Sequence, residues 1–207
     1  MYNPPAFSED RPEVLAAAVR AHPLGTLITS GPLGLLANVA PFMMRQEGET
    51  WVLRSHLAKT NDQIPDLRTG IDALVMFQGP QAYISPAWYA TKQEHGKAVP
   101  TWNYVIAQMW GSAILHDDPD WILHQLHEIT GAQEGGRAQP WQVSDAPADY
   151  IKAQLRGIVG LEIRLTKMTG KWKLSQNQPE RNRTGVIDGL RDDGQHQVAD
   201  LVASAVL

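Results

Sequence analysis

Short apolar runs separated by glycine, proline and polar residues fill the first two thirds of this chain. Runs of this length, rich in β-branched and aromatic residues, predict strands. We predict strands over residues 24–29, 35–44, 51–57, 71–78, 81–85, 102–115 and 158–167. The strand over 81–85 is predicted to continue the one over 71–78 after Gly79-Pro80, and Gly170 is predicted as a turn. Strands at this spacing are typical of a barrel or sandwich.

Helical spacing of apolar residues marks the remaining segments. A first helix is predicted to end at His22-Pro23, because the residue before a proline disfavours helical backbone. Further helices are predicted over 118–130, where Gly131 would stop the helix, and over 147–155. The tail after Pro179 is predicted to be mostly helical and polar.

These elements predict one α+β domain, mainly β, over residues 1–207. It has peripheral helices and a helical C-terminal extension over about 179–207. Composition permits such a core, since 43% of the residues are apolar and 19% are charged. The absence of cysteine excludes disulfides and thiolate metal sites. The opening residues lack the basic and apolar regions of a signal peptide, and no apolar run approaches the ~20 residues of a membrane span. We expect a soluble, cytoplasmic protein without a membrane partner.

The polar segment Ser55 to Asn61 follows a predicted strand and precedes a predicted helical turn. Such a turn can bind phosphate, since helix N-terminal amides point outward and His56 and Lys59 add donors and charge. Thr60 and Gln63 have the spacing of a capping box, and capping by Asn61 or Asp62 with a short helix is an equal alternative. An ordinary strand-to-helix turn with solvated charges explains the same pattern.

Three further segments place polar side chains on strand faces. Tyr83 and Ser85 share one face, as do Thr101 and Asn103. A polar face needs hydrogen-bond partners, which a ligand, a partner subunit or water at an edge strand would provide. In the last segment, 170–177, alternating lysines either bind an anion or face solvent.

Other chemistries have weaker support in the sequence. His124 and His127 lie three residues apart on a predicted helix, but no third ligand is evident, so we expect no metal. There is no nucleophile elbow and no dinucleotide-binding glycine motif in a strand–turn–helix context. No residue is a convincing general base, so no catalytic residue is assigned.

Six motifs occur in the order seen in one known family. They are MYNPPAF, PLGTLITSGPLGLLANVAPF, HLAKTN, GPQAYISPAWYATK, VPTWNY and KWKLSQN. In these motifs and their order the chain resembles the PaiB family, which is described as FMN-binding negative transcriptional regulators. That family has the FMN-binding split β-barrel of pyridoxamine-phosphate oxidase-like flavoproteins, a mostly antiparallel Greek-key fold.

The resemblance implies a homodimer with FMN at the subunit interface. It places the phosphate at the turn formed by His56, Leu57, Ala58, Lys59 and Asn61, and the ring or ribityl chain near Asn38, Tyr83 and Ser85. It implies further cofactor contacts from Thr101, Trp102, Asn103, Lys173, Ser175, Gln176 and Asn177.

Two departures from the family pattern bear on affinity for FMN. Lys59 stands where the family has arginine, which keeps the charge but loses the two-pronged guanidinium contact with phosphate. Asp62 stands at a family proline and adds a negative charge. Both changes are expected to weaken FMN binding.

Three functions follow as alternatives. The first is a flavin-dependent oxidoreductase, in which FMN carries the chemistry. The second is a DNA-binding transcriptional regulator. The net charge of −4 and the lack of a helix-turn-helix with a basic helix give it no support, and its best basic residues are Arg181, Arg183 and Arg191. The third is a barrel that binds haem or another ligand, with a histidine as axial ligand.

Overall fold

The computed structural model describes residues 1–32 and 34–205. Residues 206 and 207, the end of the predicted C-terminal extension, lie outside the described residues. The strands are β1 (Ser8–Glu9), β2 (Leu24–Gly31), β3 (Gly34–Pro41), β4 (Met43–Glu47), β5 (Thr50–Ala58), β6 (Asp72–Ile84), β7 (Thr101–His116) and β8 (Ile158–Lys173). The helices are α1 (Pro12–Ala21), α2 (Ile64–Leu67), α3 (Ala90–His95), α4 (Pro119–Glu134), α5 (Ala148–Leu155), α6 (Glu180–Asp192) and α7 (His196–Ser204).

Within the described residues the strands form an eight-stranded sheet in the order β3-β2-β6-β7-β8-β5-β4, with β1 paired to β8. Neighbouring strands run antiparallel, with Leu27 opposite Asn38 in the β2–β3 pair and His56 opposite Gly160 in the β5–β8 pair. Side chains alternate between the two faces of each strand, as the period of two requires. The predicted fold class, a mostly antiparallel sheet with flanking helices, is confirmed.

Several element boundaries differ from the prediction. β6 continues through Gly79-Pro80, and α4 continues past Gly131 to Glu134. β8 runs through Gly170 to Lys173, where a turn was predicted. A Cβ atom at Gly170 would lie 2.1 Å from the Trp172 ring and 2.7 Å from the Leu15 side chain. This glycine therefore allows close packing within a strand and does not end it.

The chain divides into two compact units. Unit 1 contains Met1–Leu15, Gln78–Ala107 and the chain from Thr169 onward, and unit 2 contains Ala16–Phe77 and Gln108–Met168. β6, β7 and β8 each have residues in both units. Whether the whole chain is one domain stays a prediction.

The core of unit 1 joins strand residues to the two C-terminal helices. Its buried members are Ala82, Ile84, Tyr89, Val105, Leu174, Val186, Leu190, Val198, Ala199 and Val202. Val186 and Leu190 are four residues apart and so face the same side of α6. The predicted helical tail is therefore held by burial of a narrow apolar stripe, although α6 is polar elsewhere.

The core of unit 2 lies on the inner face of its strands. Phe42 and Phe77 pack edge to face with ring centres 5.9 Å apart, and Leu53, Leu161 and Ile163 are fully buried. The opposite face of β2 and β3 leaves apolar side chains in solvent, with Leu24 64%, Leu35 74% and Val39 67% exposed. We call these three side chains the outer apolar face.

None of the helices among the described residues is long and apolar enough to cross a bilayer.

Candidate functional site

The predicted site residues fall into two groups, one in each unit. Unit 2 contains Asn38, His56, Leu57, Ala58, Lys59 and Asn61. Unit 1 contains Tyr83, Ser85, Thr101, Trp102, Asn103, Lys173, Ser175, Gln176 and Asn177. Each group lies entirely within one of the two units.

In unit 2, β5 ends in a turn over residues 58–63, which we call the Lys59 turn. The amide of Lys59 donates to the Gly157 carbonyl at 2.9 Å, and the amide of Asn61 donates to the Ala58 carbonyl at 3.0 Å. Two of the backbone donors expected to bind phosphate are therefore used inside the protein. Among the described residues, none accepts a hydrogen bond from the amides of Thr60 or Asp62.

The helix after this turn is short, as in one of the two predicted alternatives. α2 contains only four residues, Gln63 occupies the N-cap position, and its side chain makes no capping bond. The Asn61 side chain instead accepts from the Gln63 amide at 2.8 Å. The predicted capping box of Thr60 and Gln63 is therefore wrong, and a helix this short adds little dipole to an anion site.

A buried amide that the sequence analysis missed holds the turn in place. Gln63 is fully buried, and its Nε2 donates to the carbonyls of Leu27 and Leu36 and to the Thr29 hydroxyl. Asn38 Nδ2 in turn donates to Gln63 Oε1 at 3.0 Å and to Asn61 Oδ1 at 3.4 Å. Predicted residues Asn38 and Asn61 are thus brought together by Gln63.

The remaining predicted residues of unit 2 have different surroundings. Leu57 is in the core at 5% exposure. His56 Nδ1 lies 3.0 Å from Gln125 Oε1 on α4, so this ring is engaged by its own chain. The Lys59 side chain is exposed. The pKa of Asp117 is lowered mainly by its hydrogen bonds with Arg68, and the charge of Lys59 lowers it further.

In unit 1, a cleft of about 270 Å³ brings two of the predicted motifs together. Thr101 and Asn103 come from the start of β7, Lys173 from the end of β8, and Ser175 and Asn177 from the segment after β8. We call it the Lys173 cleft. Its lining residues are Tyr89, Thr91, Lys97, Ala98, Val99, Thr101, Asn103, Lys173, Ser175, Asn177, Gln178 and Asn182.

Hydrogen bonds fix the walls of the Lys173 cleft. Lys173 Nζ donates to Thr101 Oγ1 and to the Trp102 carbonyl. Asn103 is 1% exposed, and its Nδ2 donates to Ser175 Oγ at 2.9 Å. Ser175 has φ of 63°, a left-handed conformation that is uncommon for a residue with a side chain. Burial lowers the pKa of Lys173, and the charge of Lys171 lowers it further.

Five polar residues of the cleft were not predicted, namely Tyr89, Thr91, Lys97, Gln178 and Asn182. Tyr89 precedes α3 and Thr91 lies on α3. Gln178 lies two residues before α6, and Asn182 lies in the first turn of α6. Asn182 is 3% exposed and its Oδ1 accepts from the Thr91 amide at 3.1 Å. The late motif ends at Asn177. The signal in the sequence that could have identified Asn182 was its polar side chain, five positions after that motif.

Other predicted residues of unit 1 lie outside the lining of the cleft. The Tyr83 and Trp102 rings pack edge to face, with centres 6.0 Å apart. Ser85 Oγ accepts from the Ala87 amide and caps a short turn. Gln176 Oε1 accepts from the Leu174 amide at 2.7 Å, so its side chain stabilises the chain after β8.

No cluster of three or more metal-ligating side chains exists among the described residues. His124 Nε2 lies 3.4 Å from Glu128, one helical turn away. The predicted residues of unit 2 include one ammonium and two side-chain amides, and those of unit 1 include one ammonium with amides and hydroxyls. This donor set fits a ligand with phosphate and hydroxyl groups, such as FMN.

Comparison with known proteins shows which family the chain belongs to. Residues 1–167 match the family model described as "Putative FMN-binding domain". The chain is 30% identical to the Protease synthase and sporulation protein PAI 2 of Bacillus subtilis, over 98% of this chain and 96% of the relative. It is 33% identical to an uncharacterized protein of Emericella nidulans, over 94% of this chain and 92% of the relative.

A solved structure with the same fold is the FAD and heme binding protein from Mycobacterium smegmatis. It superposes with a TM-score of 0.61 at 15% identity, over 80% of this chain and 73% of that one. At this identity the likeness shows the fold alone. The chain therefore belongs to the PaiB-type family of FMN-binding split-barrel proteins, with FMN as its cofactor.

Proposed function

We propose that this chain is a homodimeric flavin-dependent redox protein in which the Lys59 turn binds the phosphate of FMN. The observation that carries the proposal is the amide network of Asn38, Asn61 and the buried Gln63, which fixes a turn whose exposed tip bears a cation. A turn held in this way loses little conformational entropy when it binds a ligand.

The donors that remain at this turn suit a phosphate. They are the Lys59 ammonium and the amides of Thr60 and Asp62. The Asp62 carboxylate and the nearby Asp117 reduce the local positive charge, so moderate affinity is expected. When bound, FMN supplies electron and hydride transfer at its ring, and the protein supplies placement and electrostatics.

The outer apolar face supports the proposed homodimer. Leu35 and Val39 lie on β3, the edge strand, and Leu24 lies on the neighbouring strand β2, with all three on one side of the sheet. Large apolar side chains exposed on one side of a sheet are candidates for a protein interface. A second copy of the chain would remove them from water.

The contacts that three arginines make within the chain favour a redox role over DNA binding. Arg181 pairs with Glu94 at 2.6 Å, and Arg191 pairs with Asp200 at 3.4 Å. Arg183 donates to the carbonyls of Val202 and Ala205 near the end of α7. These side chains neutralise acidic groups and complete a helix, so they form no basic surface for phosphates of DNA.

FMN titration tests the phosphate assignment. We expect Lys59→Ala to raise the Kd for FMN about tenfold or more, the typical loss for one charge-assisted hydrogen bond. Riboflavin, which lacks the phosphate, should bind both proteins equally. Flavin fluorescence quenching measures both constants.

Lys152→Ala, on the exposed side of α5, is the matched control and should bind FMN like the wild type. Equal FMN affinity in Lys59→Ala and Lys152→Ala would show that the Lys59 turn does not bind the phosphate.

A further inference from the structure

The Lys173 cleft presents hydrogen-bond donors in excess of acceptors. Lys173 Nζ carries three hydrogens, and two of them point at Thr101 Oγ1 and the Trp102 carbonyl. The third is left for a ligand. Because the Thr101 hydroxyl accepts from Lys173, its own hydrogen also remains to be donated.

Other residues that line the cleft also have hydrogens left to donate. Asn182 Nδ2 donates to Thr91 Oγ1 at 3.0 Å and to Gln178 Oε1 at 3.1 Å. The Thr91 hydroxyl therefore keeps its own hydrogen, and Gln178 keeps the two hydrogens of Nε2. Burial raises the pKa of Tyr89, so its phenol stays protonated and can donate as well.

The charge of the cleft has one sign. Lys173 lines it, and among the described lining residues there is no aspartate or glutamate. Within the described residues no carboxylate pairs with Lys173. A half-buried cation without a counter-ion is unfavourable, and an anion beside it would offset the loss of hydration. The nearby cation Lys171 increases this demand.

The walls are also pre-arranged. Asn103 and Ser175 hydrogen-bond to each other while both are buried, and Asn182 is held by Thr91 and Gln178. The left-handed backbone at Ser175 costs energy that the surrounding structure must supply. Strained residues of this kind concentrate at ligand sites.

We propose that the Lys173 cleft is an oxyanion site, which binds a phosphate or carboxylate group through Lys173, Thr101, Thr91 and Gln178. Two sources carry this chemistry, the phosphate of FMN and a separate anionic ligand. With the first source, the proposal rests on FMN binding but moves the phosphate from the Lys59 turn to the Lys173 cleft. With the second source, it goes beyond that function.

The first experimental arm compares FMN with riboflavin in wild-type protein and Lys173→Met. If the cleft holds the cofactor's phosphate, the variant should lose at least tenfold in FMN affinity and bind riboflavin within twofold of the wild type. Lys167→Met is the matched control, since Lys167 is an exposed lysine on the same strand, over the Trp110 ring.

The second arm titrates inorganic phosphate into the protein as purified, flavin included, at constant ionic strength. Calorimetry should show saturable binding that Lys173→Met weakens at least tenfold and Lys167→Met leaves unchanged, if the source is a separate ligand. Thr101→Val, which removes one donor and keeps the side-chain shape, should weaken binding in the same arm. It serves as the second variant if Lys173→Met does not fold.

The proposal is overturned if Lys173→Met and Thr101→Val match Lys167→Met in both arms. It is also overturned if riboflavin and FMN lose affinity equally and phosphate does not bind. Failure of the proposed function looks different, because it would leave Lys59→Ala without effect on FMN whatever the Lys173 variants do.

Discussion

At the scale of single residues, Gln63 contributes more to the Lys59 turn than any predicted residue. Its side chain is fully buried and makes four hydrogen bonds, to Leu27, Thr29, Leu36 and Asn38. Buried polar groups left without partners each cost about 1–3 kcal/mol. The rigidity of the candidate phosphate site thus depends on one neutral amide beneath it.

We expect Gln63→Leu to lower the free energy of unfolding by about 2–4 kcal/mol, since it strands two carbonyls and the Asn38 amide. Urea denaturation followed by circular dichroism measures the change. Gln154→Leu, at an exposed position of α5, should shift it by less than about 0.5 kcal/mol. A Gln63→Leu protein as stable as the control would show that the amide bonds contribute nothing net.

The sequence predicted residue types at the site better than their partners. The shared face of Thr101 and Asn103 was correct, and both line the Lys173 cleft. A ligand, a partner subunit or water was expected to satisfy that face, but Ser175 of the same chain bonds to Asn103. Strand periodicity shows which side a residue faces. It does not encode a partner seventy-two positions away.

At the scale of elements, the strands were predicted closely and their ends were not. Gly170 was predicted as a turn, yet β8 continues through it to Lys173. Local propensity is a weak guide where tertiary packing fills the space beside a glycine. The four-residue length of α2 was likewise hidden, because the pattern showed a polar turn but not where its hydrogen bonds would go.

The outer apolar face belongs to this scale, since it arises from the alternation of β2 and β3. We expect the double variant Leu35→Lys, Val39→Lys to be monomeric at concentrations where the wild type is dimeric. Charged lysines on an edge strand oppose pairing and burial. Sedimentation equilibrium measures the mass of each protein.

Val99→Lys is the control, since Val99 is equally exposed, at 74%, but lies in unit 1. It should leave the mass unchanged. A wild type that sediments as a monomer at tens of micromolar would contradict the homodimer.

At the scale of the whole molecule, charge argues against DNA as the partner. The net charge is −4, and Arg181, Arg183 and Arg191 are each engaged within the chain. We expect no retention of duplex DNA in a filter-binding assay, even at low salt, where electrostatic binding is strongest. Saturable retention that falls steeply with added salt would restore the regulatory role that the family name implies.

The fold class was predictable at this scale because strand spacing and six ordered motifs point the same way. The division into two units was not. Thr101 and Lys173 are seventy-two positions apart, yet they line one cleft, and residues between them belong to the other unit. Hydrophobic periodicity describes neighbours along the chain. It does not show that segments of the two units alternate in the sequence.

The composition of unit 1 has a consequence for biosynthesis. Its three stretches begin at Met1, Gln78 and Thr169, so the lysine and serine that complete the cleft leave the ribosome after every residue of unit 2. Contacts of such wide separation form slowly. A nascent chain halted at residue 168 would contain every residue of unit 2 and the Lys59 turn, but no trace of Lys173 or Ser175.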